Sequence, residues 1–191
     1  MKAQRGSALI ALISILVIIG GLAGIGIYSY ITASNYANKE EGDIEKMYVQ
    51  SQNVLGSYTL KVQEMAQVPS MYVDQLKDVM ASVMTARMGA DGSKALVQFF
   101  KEANIPFDSS MLNRLQQVIE AGRNEFQSSQ GRWIDRLGDY NTERGTFWRG
   151  MWIKFAGYPK TDLSKYKPVL AGDTREAFRT GVQAPINLRG K

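Results

Sequence analysis

Residues 8–31 read ALIALISILVIIGGLAGIGIYSYI, twenty-four positions without a charge, thirteen of them Leu, Ile or Val. As an α-helix rising about 1.5 Å per residue, the run reaches roughly 36 Å, enough to cross a hydrocarbon layer of about 30 Å with some tilt. Each Leu, Ile or Val favours insertion by roughly 0.3–0.6 kcal/mol, a sum of several kcal/mol in favour of the bilayer. The expectation is a transmembrane helix whose partner over residues 8–31 is lipid, with the rest of the chain tethered to one membrane face. The run exceeds the apolar core of about 7–15 residues found in a cleaved secretory signal, for which Ala33 is the candidate cleavage residue. It is also apolar all round, unlike the one-sided helices of soluble cores.

The flanks of the span set its expected direction. Lys2 and Arg5 lie in a short basic N-terminus, residues 1–7, whereas Lys39 follows the span with Glu40, Glu41 and Asp43 close behind. The excess of basic residues on the N-terminal side predicts a cytoplasmic N-terminus, with the domain on the outer side of a cell (inner) membrane, periplasmic or extracytoplasmic. Within the span, Gly20 and Gly24 form a GxxxG pair, the spacing that lets two membrane helices approach closely, and they are the candidate residues for a homo-oligomeric contact. Lys2, Arg5 and Gly6 followed by SALIALISILVIIGGLAGIG also resemble a type IV prepilin leader and helix, although Ala11 stands where that family carries a Glu. That resemblance implies a pilus-like assembly subunit as one alternative.

Beyond the span about 160 residues remain, enough for one domain with a real core. The chain has no Cys and no His. Disulfide frameworks, thiol chemistry, Cys/His zinc sites, His-dependent triads and His-ligated haem are therefore closed to it. No cofactor is expected. The net charge of +5 is unevenly placed: residues 39–153 carry thirteen basic and fifteen acidic side chains, residues 154–191 eight basic and three acidic. The basic excess belongs to the C-terminal region. Its charges are dispersed and outside any recognised nucleic-acid module, so no nucleic-acid partner is expected.

A polar juxtamembrane segment, residues 32–43, precedes a stripe at alternating spacings of four and three: Ile44, Tyr48, Ser51, Leu55, Tyr58, Val62, Met65. That spacing puts the apolar groups on one face of an α-helix. Val68, Pro69 and Ser70 interrupt it. A second helix is expected from about Met71 to Met88, with Val73, Leu76, Met80, Val83 and Arg87 aligned. Gly89 to Ser93 read as a Gly-rich turn, followed by a short helix ending at Asn104. Asp108, Ser109 or Ser110 can cap the next helix. In it Leu112, Leu115, Ile119, Gly122, Phe126, Ser129, Trp133, Leu137, Tyr140, Arg144, Phe147 and Met151 repeat for about forty residues, a helix of about 60 Å. Gly157, Tyr158 and Pro159 stop the pattern. No segment alternates like a strand. The expected fold class is all-α: the N-terminal transmembrane helix, then an antiparallel bundle of three to four long helices over residues 44–158, then a basic irregular tail over 159–191.

Two groups of residues suggest chemistry or binding. Asp135 and Asp139, four apart and flanked by Glu120, Glu125 and Glu143, admit a divalent-metal enzyme as a further alternative. Arg123, Arg132 and Arg136 stand three residues from Glu120, Asp135 and Asp139, which favours an ion-paired helix face, and the Glu-x-x-His element of di-iron bundles is missing. Residues 147–155, FWRGMWIKF, mix large aromatics with cations. Trp148, Arg149, Trp152 and Lys154 are the candidate contact residues for a partner, with Phe147 and Met151 expected in the core and the segment at the far tip of the bundle.

The stretch Ile119 to Pro159 carries a family resemblance. Arg123, Asn124, Glu125 and Phe126, then Arg132 to Arg136 (RWIDR), then Asp139, Tyr140 and Asn141, then Phe155 to Pro159 (FAGYP) resemble the LemA family in a divergent, phage-borne form. Asn35 and Tyr36 beyond the span, and Asn53 with Lys61 to Glu64, fit the same layout. The paired Arg-Arg and the Pro-Asn-Leu-Val segment of that family are absent from residues 57–72. The resemblance implies one N-terminal membrane helix, an antiparallel helical bundle and no established catalytic activity. The resulting expectation is a membrane-anchored, non-enzymatic structural or interaction protein whose bundle meets an unidentified protein partner.

Overall fold

In the computed structural model the described residues are 2–85, 89–170 and 179. Five α-helices account for most of them: α1 Lys2–Ala66, α2 Val73–Thr85, α3 Gly89–Glu102, α4 Ser109–Gly145 and α5 Phe147–Phe155. Short 3-10 turns occupy Ser70–Tyr72 and Leu163–Lys165. The fold is all-helical, with no strand among the described residues.

α1 is one uninterrupted helix of 65 residues. The polar segment 32–43 does not end the apolar run; it continues the same helix into the Ile44 stripe, because it contains neither proline nor any other residue that forbids helical bonding. An 18-residue window in the first half of α1 has a mean hydropathy of 2.7 and is 0% buried. Among the described residues it is one helix of the length and composition shared by membrane anchors and signal sequences.

The chain forms two compact units, each discontinuous in sequence: residues 1–44 with 135–165, and residues 45–134 with 166–191. Both long helices, α1 and α4, contribute residues to both units.

In the second unit the stripes behave as their spacing predicts. Ser51, Tyr58 and Val62 are buried in α1, Leu76, Met80 and Val83 in α2, Leu115, Ile119 and Phe126 in α4. With Leu96, Phe99 and Phe100 of α3 the hydrophobic ones join one core. Each large apolar side chain fully buried there stabilises the fold by about 1.5–3 kcal/mol. Gly122 is part of that stripe because of its size: a Cβ at this position would come within 2.6 Å of Met84 Cε and of the Tyr58 ring. Trp133, the largest buried side chain, packs edge-on to Tyr48 with ring centroids 5.3 Å apart, and Tyr166 closes the cluster 5.2 Å from Tyr48.

Three helix ends share one device. After α1, Val68 N–H donates to Gln63 O and Gln67 N–H to Glu64 O, with Gln67 at φ 50°. After α3, Ile105 N–H donates to Phe100 O and Asn104 N–H to Lys101 O, with Asn104 at φ 52°. After α5, Tyr158 N–H donates to Ile153 O and Gly157 N–H to Lys154 O, with Gly157 at φ 79°. Each is a Schellman motif in which a left-handed residue turns the chain, a buried apolar residue follows, and proline comes next (Pro69, Pro106, Pro159).

Several boundaries differ from the sequence expectation. Gly89 to Ser93 form the first turns of α3 and not a separate turn. The alignment of Arg87 lies outside the described residues. The helix expected to run on to Met151 stops at Gly145. Thr146, in extended conformation, caps the separate helix α5. Residues 159–170 are irregular apart from the Leu163–Lys165 turn, and they are packed: Lys160 and Thr161 N–H groups bond Glu41, Tyr166 is buried, and Val169 exchanges two hydrogen bonds with the Gln130 side chain. The remainder of the tail, apart from Arg179, lies outside the described residues.

Candidate functional site: the aromatic helix α5 and the carboxylates of α1

The first unit draws two neighbouring features from α1, the end of α4 and α5. In α1 the buried face runs Ala33, Ala37, Glu40 and Glu41, Ile44, again at spacings of three and four. The alanines let neighbouring helices come close, and the carboxylates need partners once water is excluded. They have them. Arg136 Nε lies 2.6 Å from Glu40 Oε2, and its Nη2 lies 3.2 Å from Asp43 Oδ2. Tyr140 O–H donates to Glu41 Oε1 at 2.8 Å, while Lys160 N–H and Thr161 N–H donate to Glu41 Oε2 at 3.1 and 3.0 Å.

The electrostatics follow from this packing. Burial pushes the Tyr140 phenol well above its ordinary range, and the hydrogen bond to Glu41 and its negative charge add to the rise. Tyr36 is raised too, chiefly by burial and then by Glu40. Both phenols stay protonated at neutral pH, which makes Tyr140 a fixed hydrogen-bond donor. The arrangement holds the chain beyond α5 against α1, a latch centred on one carboxylate.

α5 begins where Thr146 Oγ1 accepts from Gly150 N–H, and Thr146 in turn donates to Glu143 O. Gly150 has to be glycine, because a Cβ would collide with the Arg144 carbonyl. Breaking the helix at Thr146 turns the face that α5 buries. Phe147 and Met151, expected in the core, are 86% and 41% exposed, and Gly150 and Ile153 are buried in their place.

The candidate contact residues are brought together on α5, but not at a distant tip. Trp148 Nε1–H donates to Ser29 Oγ at 3.3 Å. A Cβ on Gly26 would meet Trp152 at 3.7 Å, and the Phe155 ring stands edge-on to Tyr30 with centroids 6.1 Å apart. The segment therefore lies beside the end of the apolar run. Arg149 pairs with Glu143 at 3.2 Å and stacks over the Tyr36 ring, while Lys154 is exposed.

The other candidate residues are dispersed. Asp135 and Asp139 are exposed, and no group of three potential metal-ligating side chains occurs among the described residues. Arg136 does not pair along its own helix with Asp139; it reaches α1. Arg123 donates to the Val83 carbonyl and Arg132 to Ser128 Oγ. Gly20 and Gly24 stand in open space, where a methyl group would meet nothing within 4 Å.

Sequence reasoning names Glu40 and Glu41 only as charges that follow Lys39 beyond the span, and assigns them no partner. The usable signal was their position: counted back from Ile44 by threes and fours they fall on the buried stripe, and Arg136 and Tyr140, four apart on α4, are suitable partners.

Compared with protein-family models, curated proteins and solved structures, the chain matches none.

Proposed function

We propose that this chain is a single-pass membrane protein of LemA-like layout. Residues 8–31 anchor it in a cell membrane with the N-terminus cytoplasmic, and an antiparallel helical bundle on the outer side serves as a non-enzymatic structural or protein-interaction module. The observation that carries the reading is the first half of α1: thirteen Leu, Ile and Val side chains with an 18-residue window 0% buried, on a helix continuous with the packed part of the chain. Such a surface is costly in water, and about 25 cal/mol per Å2 of apolar area is recovered on leaving it. The absence of His and Cys from the sequence and the enclosure of Glu41 by three donors support a structural role for the polar groups.

The chain has no cysteine, so a single Asn53→Cys substitution on an exposed position of α1 provides a unique label. Labelling of intact cells by a membrane-impermeant maleimide is the expected result. Labelling only after permeabilisation overturns the orientation, and release of the protein by alkaline carbonate overturns the anchor.

A second reading, a pilus-like assembly subunit, is favoured by the unbroken 65-residue α1 with its apolar first half. It requires cleavage after Gly6, and an intact N-terminus in the mass spectrum of the membrane-extracted protein removes it.

A further inference from the structure

We propose that α5 is an interfacial helix that lies in the headgroup region of the bilayer beside the emerging end of the α1 span, with lipid as the occupant of its exposed face. This inference rests on the anchor reading above and adds a second, separate point of membrane attachment.

The argument begins with angles around α5. At about 100° per residue, Phe147, Met151, Phe155, Trp148 and Trp152 fall within one arc of about 140°, and Gly150 and Ile153 lie opposite. The opposite side is the buried one. Four of the five are left outward, with Phe147 at 86% exposure, Phe155 at 76%, Trp148 at 52% and Met151 at 41%, while Trp152 is half-buried beside α1. A soluble helix reverses this arrangement, placing polar groups outward. Of the two charges on α5, Arg149 is held by Glu143 and the Tyr36 ring, and the exposed Lys154 stands at the border of the arc beside Phe147, where a long cationic side chain reaches headgroup phosphates while its stem stays among apolar groups.

Position supplies the occupant. The arc is continuous with the exposed apolar surface of α1, because Trp152 meets Gly26, Trp148 bonds Ser29 and Phe155 packs on Tyr30. Residues 26–31 are the final turns of a run about 6 Å longer than the hydrocarbon it would cross. They belong at the boundary between acyl chains and headgroups. Tyr28 and Tyr30 with Trp148 and Trp152 then make an aromatic belt of the kind enriched at that depth, where large amphipathic rings sit at the headgroup level. A protein partner would need to cover the arc within the same layer that lipid already fills.

The test uses the full-length chain reconstituted in vesicles of phosphatidylethanolamine and phosphatidylglycerol, with lipids brominated either near the headgroup or near the acyl-chain end. Tryptophan emission of the wild type is compared with that of Trp148→Phe/Trp152→Phe, which retains the buried Trp133 alone. The expected result is strong quenching of the wild type by the shallow bromines, weaker quenching by the deep ones, and several-fold less quenching of the variant. Phe147→Ser/Phe155→Ser changes two exposed side chains only; it should keep its helical circular dichroism and lose most of the shallow quenching. Equal quenching of wild type and Trp variant in protein that resists carbonate overturns the interfacial helix and leaves the anchor standing. Release by carbonate overturns both. Disulfide dimers of Phe147→Cys in place of quenching assign the face to a second copy and likewise overturn the proposal.

Discussion

Tyr140 on α4 donates a hydrogen bond from its phenol to Glu41 on α1 at 2.8 Å, although the two stand ninety-nine positions apart, and the same carboxylate accepts from two backbone N–H groups of the segment after α5. One side chain thus holds three parts of the first unit. Hydrogen bonds to a charged acceptor are each worth about 1.5–3 kcal/mol, and a buried carboxylate stripped of its donors costs a comparable amount.

Tyr140→Phe is therefore expected to destabilise the protein by about 1–3 kcal/mol, and Glu41→Ala by more, since it frees three donors at once. In the double variant the two losses should fall short of their sum by more than about 0.5 kcal/mol, because the residues share one network. Urea unfolding of the detergent-solubilised chain measures all three; strict additivity would deny the latch.

Two glycines of α4 predict opposite effects. Gly122→Ala forces a methyl against Tyr58 and Met84 and is expected to cost about 1–3 kcal/mol by overpacking. Gly138→Ala meets nothing within 4 Å and gains about 0.5–1 kcal/mol of helix propensity. Thermal unfolding should lower the midpoint in the first case and raise it in the second.

Asp108 caps α4 by accepting from Met111 N–H at 2.7 Å, and that bond lowers its carboxyl below the ordinary range. A group whose folded pKa is depressed contributes above its unfolded pKa, about 3.9, and loses that contribution as pH falls through the folded value. Wild type should exceed Asp108→Ala in stability by a constant amount at neutral pH. The gap should close in acid, below the unfolded value. A gap that persists unchanged there would remove ionisation from the cap.

Gly20→Leu/Gly24→Leu adds bulk to a face with nothing within 4 Å, so the fold of the single chain should be unaffected. If the GxxxG pair joins two copies, cross-linking in membranes should fall several-fold in this variant. Unchanged cross-linking removes these glycines from any oligomer contact.

Periodicity and punctuation made much of this fold legible. The stripes from Tyr48 to Met65, Val73 to Val83 and Leu112 to Tyr140 are buried or half-buried where their spacing says, since one apolar face per helix is a local property of the chain. The three apolar-Pro pairs, Val68-Pro69, Ile105-Pro106 and Tyr158-Pro159, marked helix ends for the same reason: an N–H is missing and the helix cannot continue. Phe147 and Met151 were misplaced because periodicity extrapolates through Thr146, where a hydroxyl offers the backbone an alternative bond and starts a new helix. The burial of Glu40 and Glu41 is not legible in the sequence because a carboxylate's environment depends on its partners, and those lie on α4 and after α5.

By itself the amino-acid sequence determined an uncharged span of membrane length, an all-helical body, and the exclusion of His- and Cys-based chemistry, all of which depend on composition and neighbours within a turn or two. Only the tertiary structure decided that Glu41 is a buried acceptor and that α5 turns its aromatic face outward beside Gly26 to Tyr30. Those facts depend on which distant segments meet, and no local pattern of residues encodes the meeting.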